Sequence, residues 1–326
     1  MIRKLGLYES GGFDPYRNLA VEQHLLETAG EEQCILYLWQ NENTVVIGRN
    51  QNAWKECRTA LLEEEGGRLA RRLSGGGAVF HDRGNLNFTF LLPTAEYDLE
   101  RQLEVIRRAC AALGVAVEKS GRNDLLADGR KFSGNAFYHH EGRSYHHGTL
   151  LVDVDMDKLG RYLQPSKAKL AAKGVDSVRA RVVNLRELQA DISVDALRVA
   201  LRDAFGEVCG LPVETLRETD LDAAAVDALT ARNQSWEWNY GQRLPFDFSC
   251  EARFSWGEAR LELAVEYGAV KRAAVYSDAM DWTVAPRLEE ALTGCRFDRA
   301  ALAARVRTSA LECAEDVAAL LLEQDI

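Results

Sequence analysis

Three consecutive glycines, Gly75 to Gly77, constrain this 326-residue chain more than any other feature. They lie within Arg71-Arg-Leu-Ser-Gly-Gly-Gly-Ala-Val-Phe-His-Asp-Arg-Gly-Asn-Leu-Asn-Phe-Thr-Phe90. Successive glycines are unfavourable inside a helix or strand, so the chain turns there. The residues after the turn read as β-structure: Gly77-Ala-Val-Phe80 and the run from Asn85 to Leu92 bracket the turn His81-Asp-Arg-Gly84. A turn stripped of side chains lets a ligand lie directly on backbone N–H groups, and Arg71 and Arg72 place positive charge beside it. That describes an anion or acyl-phosphate cradle, and a flexible glycine turn in a surface hairpin fits the same residues. It is neither a Walker A loop, which needs a following Gly-Lys-Ser/Thr, nor a Gly-x-Gly-x-x-Gly dinucleotide fingerprint.

Periodicity organises the rest. Asp14 and Pro15 form an N-cap and first helical position for a helix carrying Leu19, Val21, Leu25 and Leu26 up to Gly30. Cys34–Trp39 and Thr44–Gly48 read as a hairpin around Gln40-Asn-Glu-Asn43. Asp98 caps a helix with Leu99, Leu103, Ile106, Cys110 and Leu113 on one face, ended by Gly114, and Ser193 caps another with Leu197, Leu201 and Phe205. Residues 115–151 look strand-rich. A linker from Tyr240 to Phe248 precedes a three-stranded meander (Ala252–Trp256, Arg260–Tyr267, Val270–Tyr276) and helical stretches, the clearest from Ser309 to Glu323. The last ~80 residues therefore read as a small α+β unit of their own.

A net charge of −10 is the wrong sign for general nucleic-acid or acidic-membrane binding, so a phosphate ligand needs a local basic pocket. No run approaches the ~18 apolar residues of a membrane helix. Seven scattered cysteines without a C-x-x-C pair indicate reduced, cytosolic usage and argue against structural zinc.

Three further segments carry chemistry. In Gly121–Ala136, Asn123 and Asp124 suit a metal or ribose, and the Asp128-Gly129 turn delivers Arg130 and Lys131 onto a strand. Strand alternation allows only one of those cations to face a site, and a solvated hairpin tip is the alternative. His139, His140, His146 and His147 invite a zinc reading, but neighbours on a strand cannot both ligate one ion; one buried, hydrogen-bonded imidazole is expected. Ser166–Arg181 gathers Lys167, Lys169, Lys173, Arg179 and Arg181 around Gly174, either a phosphate site or a solvated basic face.

Together these segments resemble the lipoate-protein ligases, ATP-dependent enzymes that activate lipoic acid and attach it to a carrier lysine. The resemblance rests on Asp14-Pro-Tyr-Arg-Asn-Leu-Ala-Val-Glu22, Val45-Val-Ile-Gly-Arg-Asn-Gln-Asn-Ala-Trp-Lys-Glu-Cys57, Arg71–Asp82 and Gly121–Ala136. It continues through His146–Leu151, Lys169–Leu185, Ser235-Trp-Glu-Trp-Asn-Tyr-Gly241 and Arg253-Phe-Ser-Trp-Gly257, spanning nearly the whole chain in order. It implies an α+β fold: a mixed-sheet catalytic domain of the biotin/lipoyl-protein-ligase type over 1–242, and a small α+β C-terminal accessory domain over 250–326.

By the same resemblance, Arg72 and the backbone of Gly77, Ala78, Val79 and Phe80 contact the nucleotide. Lys131 is the catalytic residue and reaches both the lipoyl carboxyl and the phosphate. Asn123 and Asp124 lie near the phosphates, with Asp124 on Mg²⁺. Lys173, Val175, Ser177 and Val178 belong to a basic loop that folds over the adenylate as a lid. Ser74, Gly75, Gly76, His81 and His147 enclose the acyl group. ATP and Mg²⁺ are then the cofactors and lipoate or octanoate the substrate. The protein partners are lipoyl carrier domains of 2-oxoacid dehydrogenase E2 subunits and glycine cleavage H protein. The resemblance further implies a cytoplasmic monomer that engages neither nucleic acid nor membrane.

Three other readings compete. An octanoyltransferase of related fold needs an activated thiol near the lysine strand, and no cysteine occurs between Cys110 and Cys209. A biotin-protein ligase would carry a Gly-Arg-Gly-Arg type signature, which is absent. A non-catalytic acyl- or carrier-binding module would keep the fold and lose the activity.

Overall fold

The computed structural model describes residues 1–121, 124–163, 182–240 and 247–324. Among them the largest sheet has eight strands. In spatial order these are β11 (Val213–Thr215), β1 (Lys4–Glu9), β2 (Gln33–Trp39), β6 (Asn85–Pro93), β10 (Arg143–Leu151), β9 (Arg130–His140), β8 (Asp124–Ala127) and β7 (Glu118–Ser120). β1 runs parallel to both β2 and β11, and the other pairings are antiparallel, so the sheet is mixed.

Both faces of this sheet are covered, which explains why β2 reads as the unbroken apolar run Cys34-Ile-Leu-Tyr-Leu-Trp39. Cys34, Leu36 and Leu38 pack into one core with the helices Leu99–Ala112 and Val194–Cys209. Ile35, Tyr37 and Trp39 point the other way, into a second core with the helices Pro15–Thr28 and Ala223–Gln234. The helix caps follow the sequence: Asp14 accepts from the N–H groups of Tyr16 and Arg17, Asp98 from Arg101, and Ser193 from Ala196.

The two hairpins expected around Gln40–Asn43 and His81–Gly84 do not form. β3 (Thr44–Ile47) leaves β2 and joins β4 (Arg68–Arg71) and β5 (Val79–His81) in a separate three-stranded sheet. β5 and β6 likewise belong to different sheets. The reason lies in the Gln40–Asn43 connection, which is pulled inward instead of turning at the surface. Asn41 is fully buried, and the Asn18 amide donates to both the Gln40 carbonyl and Asn41 Oδ1. β2 needs two edge partners to cover its length and takes β1 and β6. His81 is consequently a strand residue opposite Thr44, and β4 is a strand the periodicity did not reveal.

The meander appears as β12 (Phe248–Phe254), β13 (Gly257–Glu266) and β14 (Ala269–Ser277). With the helices Val284–Leu292, Arg299–Arg307 and Ala314–Leu322 it encloses a core drawn from residues 250–321 alone. The last of these helices starts at Ala314 and not near Ser309, because Ala310 adopts φ +51°.

This C-terminal unit meets the glycine turn directly. Ser277 N–H donates to the Asn50 carbonyl, Asn50 Nδ2 donates to the Trp282 carbonyl, and Gly76 N–H donates to the Ala279 carbonyl. Trp282 packs against Tyr138 with ring centroids 5.2 Å apart.

Candidate active site

The glycine turn is held between two close backbone approaches. A Cβ on Gly48 would lie 2.2 Å from the Gly76 carbonyl oxygen, and one on Gly75 would lie 2.1 Å from the Ala279 carbonyl oxygen. Only glycine at both positions lets three backbones meet here. Arg71 and Arg72 turn out to be braces. Arg71 donates to the carbonyls of Gly48, Arg49, Gln51, Trp238 and Asn239. Arg72 donates to those of Val46, Gly75 and Gly77 and to Ser74 Oγ. Burial pulls both guanidinium pKa values down to about 10, which leaves them charged at neutral pH. Arg72 additionally reaches the cavity wall.

That cavity, of about 140 Å³, runs between the two sheets. The glycine turn contributes Gly76, Gly77, Ala78 and Val79; β9 contributes Lys131, Asn135 and Ala136; β10 contributes His147. Lys131 is placed by a β-bulge: Leu126 pairs with Lys131 while Leu125 pairs with Ser133, leaving Phe132 as the extra residue in the core. As alternation requires, one cation faces the site. Lys131 lines the cavity and pairs with Asp124 at 2.7 Å, whereas Arg130 turns to Glu187.

Behind the wall a buried polar chain ties helix, sheet and turn together. Ser74 Oγ lies 2.8 Å from His147 Nε2, and His147 Nδ1 lies 2.8 Å from Glu22 Oε1. The same Glu22 oxygen accepts from Thr89 Oγ1, which in turn accepts from Trp39 Nε1. His146, its side chain on the opposite face of β10, sits between the side-chain amides of Gln102 and Asn135 at 2.9 and 2.8 Å. Two buried, hydrogen-bonded imidazoles thus replace the one expected. Burial lowers His146 and His81 to about 3, so both rings are neutral.

Of the residues singled out from sequence, Arg72, Gly76, Gly77, Ala78, Val79, His81, Lys131 and His147 converge on the cavity. Ser74 and Gly75 do not line it: Ser74 is fully buried behind the wall and Gly75 faces Ala279. The Phe80 side chain packs against Tyr162 in the core under β3. Asn123, Lys173, Val175, Ser177 and Val178 lie outside the described residues. Leu19, Trp39, Asn87 and Asn135 line the cavity without having been anticipated, and Glu22 supports it from behind. Glu22 did leave a trace in the sequence, a carboxylate at a buried position of an apolar helix face.

Fold and site together define an α+β protein with a cavity lined by Lys131 and by a turn whose residues 75–77 carry no side chains, next to a C-terminal unit with a core of its own. Comparison with known proteins gives the family. The profile described as the lipoyl protein ligase A/B catalytic domain matches residues 14–206, and that of the bacterial lipoate protein ligase C-terminus matches residues 244–317. The chain belongs to the lipoyl protein ligase A/B family.

Among solved structures it resembles LipL1 of P. falciparum in complex with lipoate, at 25% identity and a TM-score of 0.86, covering 98% of this chain and 100% of that one. A bi-partite lipoate protein ligase from Thermoplasma acidophilum, described with its E2 lipoyl domain, is 28% identical with a TM-score of 0.64, covering 75% of this chain and 99% of that one. A lipoate-protein ligase A bound with ATP is 27% identical with a TM-score of 0.63, covering 74% and 99%.

Proposed function

We propose that the protein is an ATP-dependent lipoate-protein ligase. In the first step a lipoate carboxylate oxygen attacks the α-phosphorus of ATP, pyrophosphate leaves, and a mixed anhydride, lipoyl-AMP, forms. In the second, the neutral amine of a carrier lysine attacks the acyl carbonyl, AMP leaves with the bonding electrons, and the amine loses a proton. Bringing a carboxylate to a phosphate juxtaposes two anions, and the fixed ammonium of Lys131 offsets their repulsion and stabilises charge on the transferring oxygen. The observation that carries the reading is the placement of Lys131 on the cavity wall with Asp124 at 2.7 Å.

Asp124 also suits Mg²⁺, which is bound through one or two carboxylates plus substrate phosphates and water. It would hold the ion beside the phosphates, where the ion's charge adds to that of Lys131. Structures similar to this one bind lipoate and ATP, which supports these ligands here. The described E2 lipoyl domain supports carrier domains of the E2 type as acceptors, with glycine cleavage H protein as a second.

Thiol chemistry finds no support. All seven cysteines are free, none lines the cavity, and burial pushes every thiol pKa up, Cys57 and Cys110 to about 12. Free thiols throughout also support a reducing compartment such as the cytoplasm. The test is incubation with lipoate, Mg-ATP and a carrier domain, following AMP release and carrier mass. AMP release with a lipoyl mass increase is expected. Transfer from an acyl-thioester without ATP would instead identify an octanoyltransferase, and inactivity in both assays a binding module.

A further inference from the structure

His81 ends β5 and lines the cavity with Trp39, Asn87 and His147. Which of its ring nitrogens carries the proton follows from hydrogen-bond roles, starting at a group that has only one. The Gln40 main-chain carbonyl can only accept, and Asn18 Nδ2 donates to it at 2.8 Å, which sets the Asn18 amide. That same Nδ2 lies 3.0 Å from Asn41 Oδ1. Asn41 therefore turns its oxygen to Asn18 and its Nδ2 to His81 Nδ1, at 3.1 Å. Asn87 Nδ2 approaches the same nitrogen at 3.5 Å, its own oxygen accepting from Asn85. With two amide donors on it, Nδ1 is the bare nitrogen, and in a neutral ring the proton sits on Nε2. The ring is neutral because burial, reinforced by the charge of Arg72, holds it far below the ordinary histidine range.

His81 Nε2–H then has no acceptor among the described residues, in a side chain only 3% exposed. A buried donor without a partner is unfavourable, and native structures retain few of them. We propose that a ring sulfur of lipoate is the missing acceptor, so that His81 Nε2–H distinguishes the dithiolane from a carbon-only acyl tail. This rests on the ligase reading above.

The surroundings admit a weak acceptor on an apolar group. Trp39 stands edge-on to His81 with ring centroids 6.1 Å apart, and Leu19 and Val46 line the same cavity. Lys131, paired with Asp124, holds the carboxyl end of the substrate, and none of the His81 partners is shared with Lys131. At the other end of lipoate the disulfide sulfurs are the acceptors available, weak but present, whereas octanoate has none.

The experiment compares lipoate with 5-cyclopentylpentanoate, which keeps the ring shape and replaces both sulfurs by methylenes, in wild type and His81→Phe. Wild type should favour lipoate in kcat/KM for adenylate formation by ~3–10-fold, the worth of one modest hydrogen bond. In His81→Phe the ratio should fall to near one. Should that variant fail to fold, Asn41→Asp serves instead. Its second carboxylate oxygen accepts from Nδ1–H, moving the proton off Nε2, and the ratio should again fall.

Imidazole ¹⁵N spectra supply an independent readout. Nε2 should be the protonated nitrogen at neutral pH, and its signal should move with lipoate but not with the cyclopentyl acid. An unchanged ratio in either folded variant, or a proton found on Nδ1, overturns the proposal while leaving the ligase reading intact. Formation of no adenylate from either acid by wild type removes the ligase reading, and the proposal with it.

Discussion

Gly75→Ala puts the contact between the glycine turn and the C-terminal unit under direct load. The new methyl carbon would fall 2.1 Å from the Ala279 carbonyl oxygen and 2.7 Å from that of Met280. Non-bonded carbons and oxygens rest near ~3.5 Å, so one backbone must retreat by more than about 1 Å. No flexible side chain can absorb that movement, since both partners are main-chain atoms. Overpacking of this kind costs about 1–3 kcal/mol. The neighbouring bond from Gly76 N–H to the Ala279 carbonyl, 3.0 Å long, would open and add about 0.5–1.5 kcal/mol. The expected loss is about 1.5–4.5 kcal/mol.

Gly77→Ala is the control, because nothing lies within 4 Å of its Cβ position, and its stability should stay within about 0.5 kcal/mol of wild type. Urea unfolding of the three proteins, followed by tryptophan fluorescence, reads both quantities. Trp282 on Tyr138 reports the interface, so a separate early transition in Gly75→Ala marks detachment before unfolding. A Gly75→Ala protein with wild-type midpoint and a single unchanged transition would refute the reasoning.

Lys131→Ala should keep the fold yet lose adenylation by several orders of magnitude, as judged by pyrophosphate release; near wild-type turnover would remove Lys131 from the chemistry. Glu22→Ala should destabilise by about 2–4 kcal/mol in denaturant melts, because His147 Nδ1 and Thr89 Oγ1 both lose a buried acceptor. Cys57→Ser or Cys110→Ser should leave ligation per folded molecule unchanged, and no acyl-thioester should be trapped by mass spectrometry. Acidification should destabilise the fold: His81 and His146 are held at about 3 when folded against ~6.5 unfolded, so between those values the unfolded chain binds more protons. Stability should then fall as pH drops from ~6.5 toward 3, at up to about 1.4 kcal/mol per pH unit for each ring; a urea midpoint unchanged between pH 7.5 and 5 would contradict this.

Helices announced themselves through local signals, and those signals held: Asp14, Asp98 and Ser193 each cap the helix their sequence position suggests. The C-terminal meander and the Asp128-Gly129 hairpin were legible, but the pairing of β3 was not, because a run such as Thr44–Ile47 specifies a strand without naming its neighbour, and a buried asparagine network redirected it. The ordered motifs located Lys131, His81 and the glycine turn. They could not show that Arg71 is a brace, since its acceptors are carbonyls as far away as Trp238 and Asn239. Nor could they show that Ser74 stands behind the wall. That depends on His147 and Glu22 arriving from segments more than fifty residues away on either side.

The parallel pairing of β1 with β11 has a consequence for how the chain is made. Leu5, Gly6 and Leu7 pair with Val213, Glu214 and Thr215, roughly two hundred residues later. At ~5–20 residues per second, a ribosome needs on the order of 10–40 s to supply that partner after β1 has emerged. Throughout this interval one edge of β1 presents unpaired N–H and C=O groups along Leu5 to Tyr8, flanked only by the charges of Lys4 and Glu9. The nascent chain is therefore open to wrong pairing at this strand, and translation speed up to Thr215 becomes a determinant of yield.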